Sequence, residues 1–371
     1  MNLSYWEIRH WFKNIDFTVV GSGITGLNCA LALREKYPKA KILILEKGLL
    51  PQGASTKNAG FACFGSVSEL LHDLHNHSED EMLALVEKRW KGLALLRKTL
   101  GDTSIDYQHL GGFEIFPESQ KELFEKCCQN ITYLNGLLKS LFKTPVFSIT
   151  PNTFGYKKVI QKLIKNNFEG QIDTGKMMLS LVQKAIASNI RIVNSITLED
   201  FLDTESGVQV KTNHFTFKTG KLFIATNGFA SQLGIAKVKP ARAQVLITNK
   251  IKNLPVKGAF HLEEGYYYFR NIDNRVLFGG GRSLDIKGET TTEMGCTKLI
   301  QNKLENLLKE VILPNNSFKI EHRWSGIMGV GEQKAPILKA ISSNVFCGVR
   351  LGGMGVAIGS LTGKELAAFT N

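Results

Sequence analysis

The sequence predicts a mixed α/β fold, α+β overall, in which a parallel sheet flanked by helices carries an inserted antiparallel sheet. Three observations predict it. Residues 16–33 read as a β-branched strand, a glycine-rich turn and a helix. Residues 238–323 alternate between apolar and polar side chains, as antiparallel strands do. A last strand, a glycine-rich loop and a helix occupy residues 344–369. Strand, turn and helix in succession are typical of a parallel sheet, and the alternating block departs from that pattern.

Length and composition are those of a globular protein. The chain has 371 residues, of which 43% are hydrophobic, enough for two domains that share a cleft. Residues 1–7 lack the apolar core of a signal peptide, and there is no apolar run long enough to span a bilayer. The six cysteines show no C-x-x-C spacing, so we expect reduced thiols. These features predict a cytoplasmic protein without a membrane span.

The formal net charge is +13. A basic balance suits RNA, anionic lipid or an anionic substrate, but a lysine-rich solvated surface gives the same number and is the interpretation we favour. His72, His75 and His77 lie two and three positions apart, which does not align well on a helix, so no metal site is predicted.

A G-x-G-x-x-G motif follows the first strand. Gly21 makes the turn, Gly23 lets the backbone approach a pyrophosphate, and Gly26 lets the helix sit close to the sheet. Ile24 and Thr25 begin the helix, whose positive end favours phosphate. The motif predicts a Rossmann-like dinucleotide site.

A second buried strand at 41–45 ends on Glu46, which is followed by Lys47. A carboxylate at this strand tip can accept hydrogen bonds from both hydroxyls of an adenosine ribose, and a free acid argues against a 2′-phosphate. The alternative is that Glu46 is only a solvated strand-end residue.

A polar, glycine-rich loop occupies residues 47–61 and should run past the bound nucleotide. An ordinary surface loop is the alternative. The predicted cofactor contacts in it are Ser55, Thr56, Lys57, Asn58, Ala59 and Gly60.

The middle of the chain alternates between the two predicted domains. A dinucleotide-binding domain is expected at 1–85, 165–235 and 325–371, and a substrate-binding domain at 86–164 and 236–324. Helices are expected at 67–100, 118–138, 173–187 and 292–310, and strands at 105–116 (around a Gly111–Gly112 turn), 190–193, 208–210, 215–217, 221–224, 244–248, 266–271 and 276–280. The buried strand at 221–224 should touch the nucleotide through Ala225, Thr226 and Asn227.

The chain ends with a strand at 344–348, a loop at 349–355 and a helix at 356–369. Too few residues follow Gly353 for a second dinucleotide unit, so this segment should complete the first site. Gly353, Met354, Gly355 and Val356 place free N–H groups and a helix dipole where an anionic group would be stabilised.

Four segments together resemble the D-amino-acid-oxidase-like family of FAD-dependent oxidoreductases, which includes glycine oxidase and sarcosine oxidase. They are residues 20–26 with Glu46, 53–60, 225–228 and 348–363. The resemblance implies that FAD is the cofactor, with its pyrophosphate on the first helix, its ribose on Glu46, residues 55–60 along its phosphates and isoalloxazine edge, and the last helix aimed at N1–C2=O. It also implies hydride transfer from the carbon beside an amine to flavin N5, hydrolysis of the resulting imine, and electron transfer to oxygen or another acceptor.

Two departures from the family pattern matter. Residues 324–329 lack the cysteine that tethers FAD in relatives similar to sarcosine oxidase, so the FAD should be non-covalent. Met354 stands where several amine-oxidising relatives have histidine, which leaves no obvious base on the terminal loop.

Family substrates are commonly amino acids, whose carboxylate an arginine can bind. Arg350, leaving the last strand, is the first candidate, followed by Arg270 and Arg282; for each the alternative is a salt bridge. Tyr266, Tyr268 and Trp324 are candidates for the wall of the substrate site. Lys57 could favour oxygen reduction electrostatically.

The sequence therefore predicts an FAD-dependent oxidoreductase that oxidises the C–N bond of a small amino acid or secondary amine. Two alternatives stay open. One, implied by the resemblance because family relatives include such an enzyme, is oxidative modification of a tRNA wobble uridine, which the basic charge suits. The other is a non-catalytic flavin-binding protein, which the methionine at position 354 suits.

Overall fold

A computed structural model describes residues 3–370. Within that range every helix is too short or too polar to cross a bilayer. The α-helices are α1 (Tyr5–Glu7), α2 (Ile24–Lys36), α3 (Ala54–Lys57), α4 (Val67–Asn76), α5 (Glu79–Leu100), α6 (Lys121–Leu137), α7 (Thr174–Ala187), α8 (Lys298–Leu307) and α9 (Gly355–Ala367).

The strands follow in chain order. They are β1 (Ile15–Val20), β2 (Ile42–Leu45), β3 (Phe61–Ala62), β4 (Gly112–Ile115), β5 (Phe147–Pro151), β6 (Lys162–Asn166), β7 (Gly170–Gln171), β8 (Arg191–Val193), β9 (Leu198–Thr204), β10 (Gly207–Thr212), β11 (Thr216–Ile224), β12 (Lys239–Thr248), β13 (Ala259–Leu262), β14 (Tyr267–Ile272), β15 (Arg275–Gly280), β16 (Ile320–Val330), β17 (Ile337–Ala340) and β18 (Val345–Val349).

The first sheet has a parallel centre in the order β18-β11-β1-β2-β8, with β17 antiparallel at one edge. Its central strands are buried on both faces and are almost continuously apolar, as parallel strands under helices are. The predicted strands at 215–217 and 221–224 form one strand, β11. Its first half pairs antiparallel with β10 and its second half parallel with β1.

The second sheet has the order β16-β12-β15-β14-β13-β4-β6-β5. It is antiparallel except where β13 pairs parallel with β4. One face packs on a core built from aromatic side chains of β13, β14 and β15 and from α8. The other face is turned to the C-terminal ends of the parallel strands, and the space between them is the site described below.

Other predicted elements also differ from the structure in extent. The helix expected at 67–100 is two helices, because Ser78 caps a new one through a capping box with Glu81. Only Gly112–Ile115 of the segment 105–116 is a strand. The helix expected from 292 begins at Lys298, since Gln244 Oε1 accepts the Thr297 N–H and holds the preceding residues as a loop.

The predicted domain boundaries at 85/86 and 324/325 fall inside α5 and β16 respectively. A cut inside a helix or a paired strand breaks its hydrogen bonds, so neither point is a natural linker. The division into two domains stays a prediction.

Helix α5 packs closely on α9 at Gly92. A Cβ at this position would lie 2.2 Å from the backbone oxygen of Ala357 and 3.1 Å from the Cα of Ile358. These are backbone atoms in the first turn of α9, so they cannot move aside without displacing the helix start.

We expect Gly92→Leu to lower the free energy of unfolding by about 1–3 kcal/mol, because it overpacks this helix contact. The matched control is Gly136→Leu, at an exposed helical glycine whose Cβ would meet no atom within 4 Å. Urea unfolding of both variants checks this. Equal midpoints for the two variants would contradict the prediction.

Candidate active site

A cavity of about 930 Å³ lies between the C-terminal ends of the parallel strands and the open face of the second sheet. The start of α2, the tip of β2, α3, the tip of β11 and the start of α9 all line it. Most of the predicted site residues are therefore brought together.

The turn into α2 forms the first part of the wall. Gly21 has φ +100°, and a Cβ on Gly26 would lie 1.9 Å from the Gly21 carbonyl oxygen, so both positions require glycine. Gly21, Gly23, Ile24 and Thr25 line the cavity, whereas Gly26 faces the strand. Gly23 is the N-cap and has no side chain, so no N-cap side chain accepts the free N–H groups of the first turn.

Ser55 of α3 lies against this helix start. Its Oγ accepts the Ile24 N–H at 2.9 Å, and a Cβ on Gly23 would lie 2.8 Å from the same oxygen. The Ser55 hydroxyl proton remains available to an acceptor in the cavity. The hydroxyl of Thr25 is buried without a partner among the described residues.

Glu46 at the tip of β2 is 5% exposed and is held in one orientation. Its carboxylate accepts the backbone N–H of Ser22 at 3.0 Å, the Ser22 hydroxyl at 2.7 Å and the Gly48 N–H at 3.0 Å. Lys47 places its ammonium 3.8 Å from the centroid of the Phe229 ring, and burial lowers the pKa of Lys47. Both residues line the cavity.

The predicted loop at 47–61 contains the short helix α3, and four residues of this segment line the cavity: Ser55, Lys57, Asn58 and Ala59. Thr56 and Gly60 do not line it. The Thr56 hydroxyl donates to the Pro51 and Gly53 carbonyls. Gly60 turns the chain with φ +75°.

The tips of β11 and α9 meet on another side of the cavity. Ala225, Thr226, Asn227, Gly353, Met354, Gly355 and Val356 all line it. Asn227 Oδ1 accepts the N–H groups of Arg350 and Leu351, both at 3.1 Å, and so joins the two segments. Met354 caps α9 without a side-chain hydrogen bond, and its Sδ lies 3.7 Å from Cys63 Sγ.

The structure corrects the expectation for Arg350. It has φ +66°, and its guanidinium turns away from the cavity to donate to the carbonyls of Ala335 and Lys237. Arg270 is likewise a structural residue, because its buried guanidinium donates to the carbonyls of Ala59 and Ile172.

Arg282, in contrast, lines the cavity and is partly exposed. Within residues 3–370 it makes no ion pair. Tyr266 and Tyr268 line the same region, and burial raises the pKa of Tyr268 to about 12. Trp324 lies outside the lining, where its Nε1–H donates to the Lys57 carbonyl.

Sequence reasoning missed a buried polar row on the second sheet. Glu114, His261 and Tyr268 are paired in register on β4, β13 and β14. His261 is 6% exposed and lines the cavity, with its ring packed against Phe61. A histidine between Phe260 and Leu262 was the one signal available, but its partners are distant in sequence.

No group of three or more His, Cys, Asp or Glu side chains in the described part of the chain is placed to hold a metal ion. His72 faces Glu264 at 3.6 Å instead.

The donors present fit a dinucleotide. Two uncapped helix starts, α2 and α9, supply free N–H groups, Ser55 supplies a hydroxyl, and the unpartnered hydroxyl of Thr226 is buried beside the cavity. Glu46 supplies a carboxylate acceptor to the same cavity.

Comparisons with solved structures show the same fold. An L-proline dehydrogenase from P. horikoshii has a TM-score of 0.74 at 16% identity, with 96% of this chain and 93% of that one covered. A glycine oxidase from Geobacillus kaustophilus also has a TM-score of 0.74, at 18% identity, with 96% and 94% covered.

A curated relative is the probable oxidoreductase OrdL of Haemophilus influenzae, which is 22% identical over 96% of this chain and 82% of its own length. The model of the family described as DAO, FAD dependent oxidoreductase, matches residues 16–369. This match covers both sheets and every segment of the cavity wall. The chain therefore belongs to the FAD dependent oxidoreductase family, and its cofactor is FAD.

Proposed function

We propose that this chain oxidises the C–N bond of a small amino acid or amine, and that Arg282 binds the substrate carboxylate. One observation carries the proposal. Arg282, a cation without an ion pair in residues 3–370, lines the same cavity as the start of α2, Ser55 and Glu46.

FAD would be held by the chain without a covalent link. The first turn of α2 and the Ser55 hydroxyl would bind the pyrophosphate, and Glu46 would accept from the ribose. The start of α9 at Gly355 and Val356 would stabilise negative charge. When bound, FAD supplies the acceptor for the hydride that leaves the carbon beside the nitrogen, and water hydrolyses the resulting imine.

The substrate end of the cavity is formed by the second sheet. Gly279 leaves room for the Tyr268 ring, because a Cβ there would lie 2.6 Å from that ring. Tyr268 and Arg282 both line this cavity. An arginine can bind a carboxylate through two charge-assisted hydrogen bonds. The names of two structural neighbours, glycine oxidase and iminodiacetate oxidase, support small amino acids as the substrate class.

The electron acceptor is oxygen or another oxidant. Lys57 lines the cavity, and a cation there would favour reduction of oxygen electrostatically.

The proposal is tested by the visible spectrum of the anaerobic holoenzyme before and after adding glycine, sarcosine, D- and L-amino acids and a polyamine. We expect one of the small amines to bleach the flavin absorbance. A yellow protein that none of them bleaches, and that binds tRNA with a steep dependence on salt, would contradict the proposal and favour an RNA substrate.

Gly23→Val should give a protein that purifies without FAD, because the new side chain collides with Ser55 and fills the approach to the α2 start. Gly136→Val is the matched control and should stay yellow. The ratio of visible to ultraviolet absorbance measures the outcome. A Gly23→Val protein with full FAD content would contradict the proposal that the start of α2 binds the pyrophosphate.

Arg282→Ala should lower kcat/KM for carboxylate substrates about 10- to 100-fold, the loss expected for a charge-assisted hydrogen bond, while FAD stays bound. Arg275→Ala, which removes an exposed pair with Glu321, is the control and should change little. Unchanged steady-state kinetics in Arg282→Ala would place the carboxylate anchor elsewhere.

A further inference from the structure

His261 occupies a position in the cavity wall that the proposed function does not yet use. Its strand, β13, lies between β4 and β14, and in register with it are Glu114 on one side and Tyr268 on the other. The imidazole is 6% exposed and lines the cavity. Its Nε2 is buried without a hydrogen-bond partner among the described residues. A buried polar atom in this state is costly unless it has a role or a ligand.

Behind the ring lies Glu169, which is 1% exposed. One of its oxygens, Oε1, accepts the backbone N–H groups of Phe64 and Gly65 at 3.0 and 3.1 Å, which fixes the carboxylate. The other, Oε2, lies 3.7 Å from His261 Nε2. This distance is too long for a hydrogen bond but close enough for a strong charge–charge contact in a buried site.

Glu114, on the other side, is 3% exposed and accepts hydrogen bonds from the backbone N–H and hydroxyl of Ser68. Burial raises the pKa of Glu114 to about 7, against the effect of Ser68. Glu69 of α4 also faces this region, and Arg89 of α5 lies near Glu69 and Glu169.

The surroundings of His261 together favour the protonated form of its imidazole. Burial lowers its pKa, but the close contact with the Glu169 carboxylate and the charges of Glu69 and Glu114 outweigh burial, so the pKa of His261 lies above its ordinary value. A raised pKa makes the neutral imidazole a stronger base, and a base whose pKa lies near the working pH is the most effective proton acceptor.

We propose that His261 is the group that accepts the proton leaving the substrate's ammonium group, with Glu169 and Glu114 stabilising the imidazolium that forms. This inference rests on the proposed function. The class of substrate it implies is an amine that arrives protonated, such as an α-amino acid in its zwitterionic form.

The step is balanced within the site. An N–H bond of the ammonium breaks, its electron pair stays on the substrate nitrogen, and the proton forms an N–H bond on Nδ1 of the imidazole, because Nε2 is buried against Glu169. The nitrogen needs this lone pair for the later two-electron oxidation, for which FAD is the oxidant, because the lone pair becomes part of the C=N bond of the imine. The imidazolium then returns the proton to water after the product leaves.

The kinetic test uses His261→Asn in the holoenzyme, with His214→Asn as the control because His214 is exposed and lies outside the cavity wall. In the wild type, kcat/KM should rise with pH as His261 loses its proton. In His261→Asn, kcat/KM near neutral pH should fall about 100-fold. The increase of kcat/KM with pH in this variant should move to the higher pH at which the amine in solution loses its proton. The control should match the wild type.

A second variant, Glu169→Gln, keeps an oxygen for the Phe64 and Gly65 N–H groups and removes the charge. Without that charge the pKa of His261 falls, so the rise in kcat/KM should move to lower pH. This variant tests the role of His261 even if His261→Asn fails to fold. If kcat/KM of Glu169→Gln increases at the same pH as in the wild type, the proposal is overturned.

A binding measurement gives a readout that is independent of turnover. 2-Aminoisobutyrate has an ammonium and a carboxylate but no α-hydrogen, so it can bind without being oxidised, and isobutyrate lacks the amine. In the wild type the affinity for 2-aminoisobutyrate should rise with pH through the His261 titration, whereas the affinity for isobutyrate should not. In His261→Asn that difference should disappear over the same pH range.

The outcomes separate the two proposals. A wild type whose FAD no amine reduces would overturn the proposed function and this inference with it. A wild type that is reduced by an amine, together with a His261→Asn variant of unchanged rate and pH dependence, would overturn the role of His261 alone.

Discussion

The structure depends on how closely α2 approaches its neighbours. On one side a Cβ at Gly26 would lie 1.9 Å from the Gly21 carbonyl, and on the other a Cβ at Gly363 would lie 2.4 Å from the Thr25 carbonyl. Glycine in a helix costs about 1 kcal/mol of stability relative to alanine, so these two positions weaken α2 and α9 as isolated helices. The contacts they permit place β1, α2 and α9 directly against one another. Because α2 and α9 are packed side by side, their first turns open into the same cavity.

This packing separates the cavity into two kinds of wall. The wall made by α2, α3, β2 and α9 offers backbone N–H groups, a serine hydroxyl and a fixed carboxylate, which are fixed groups suited to a cofactor that stays bound. The wall made by the second sheet and the turn after β15 carries Arg282, Tyr268 and His261, the side chains that we propose for binding the substrate and accepting its proton. The net charge of +13 does not indicate the local charge of either wall, since the buried groups around His261 include several carboxylates.

The parts of the site that could be predicted from sequence are those whose contacts are local. The glycine motif, α2 and Glu46 lie within one strand-turn-helix-strand unit, and the family match agrees with the cofactor predicted from them. Arg350 has a positive φ and donates to the Ala335 carbonyl outside the cavity wall, and neither feature is visible in the sequence pattern. The start of α8 at Lys298 depends on Gln244, which is distant in sequence and holds Thr297 outside the helix.

His261 could not have been recognised for the same reason, because Glu114 and Glu169 reach it only through sheet register and a loop contact. Its position also answers a question raised by Met354. A thioether cannot accept a proton at neutral pH, and the thiol beside it, Cys63, has a pKa raised by burial, so a thiolate does not form there either. The start of α9 therefore offers a helix dipole and backbone N–H groups but no side chain that can accept a proton. If the substrate amine is to lose a proton inside the cavity, the base has to come from the sheet, and His261 is the buried imidazole in that wall.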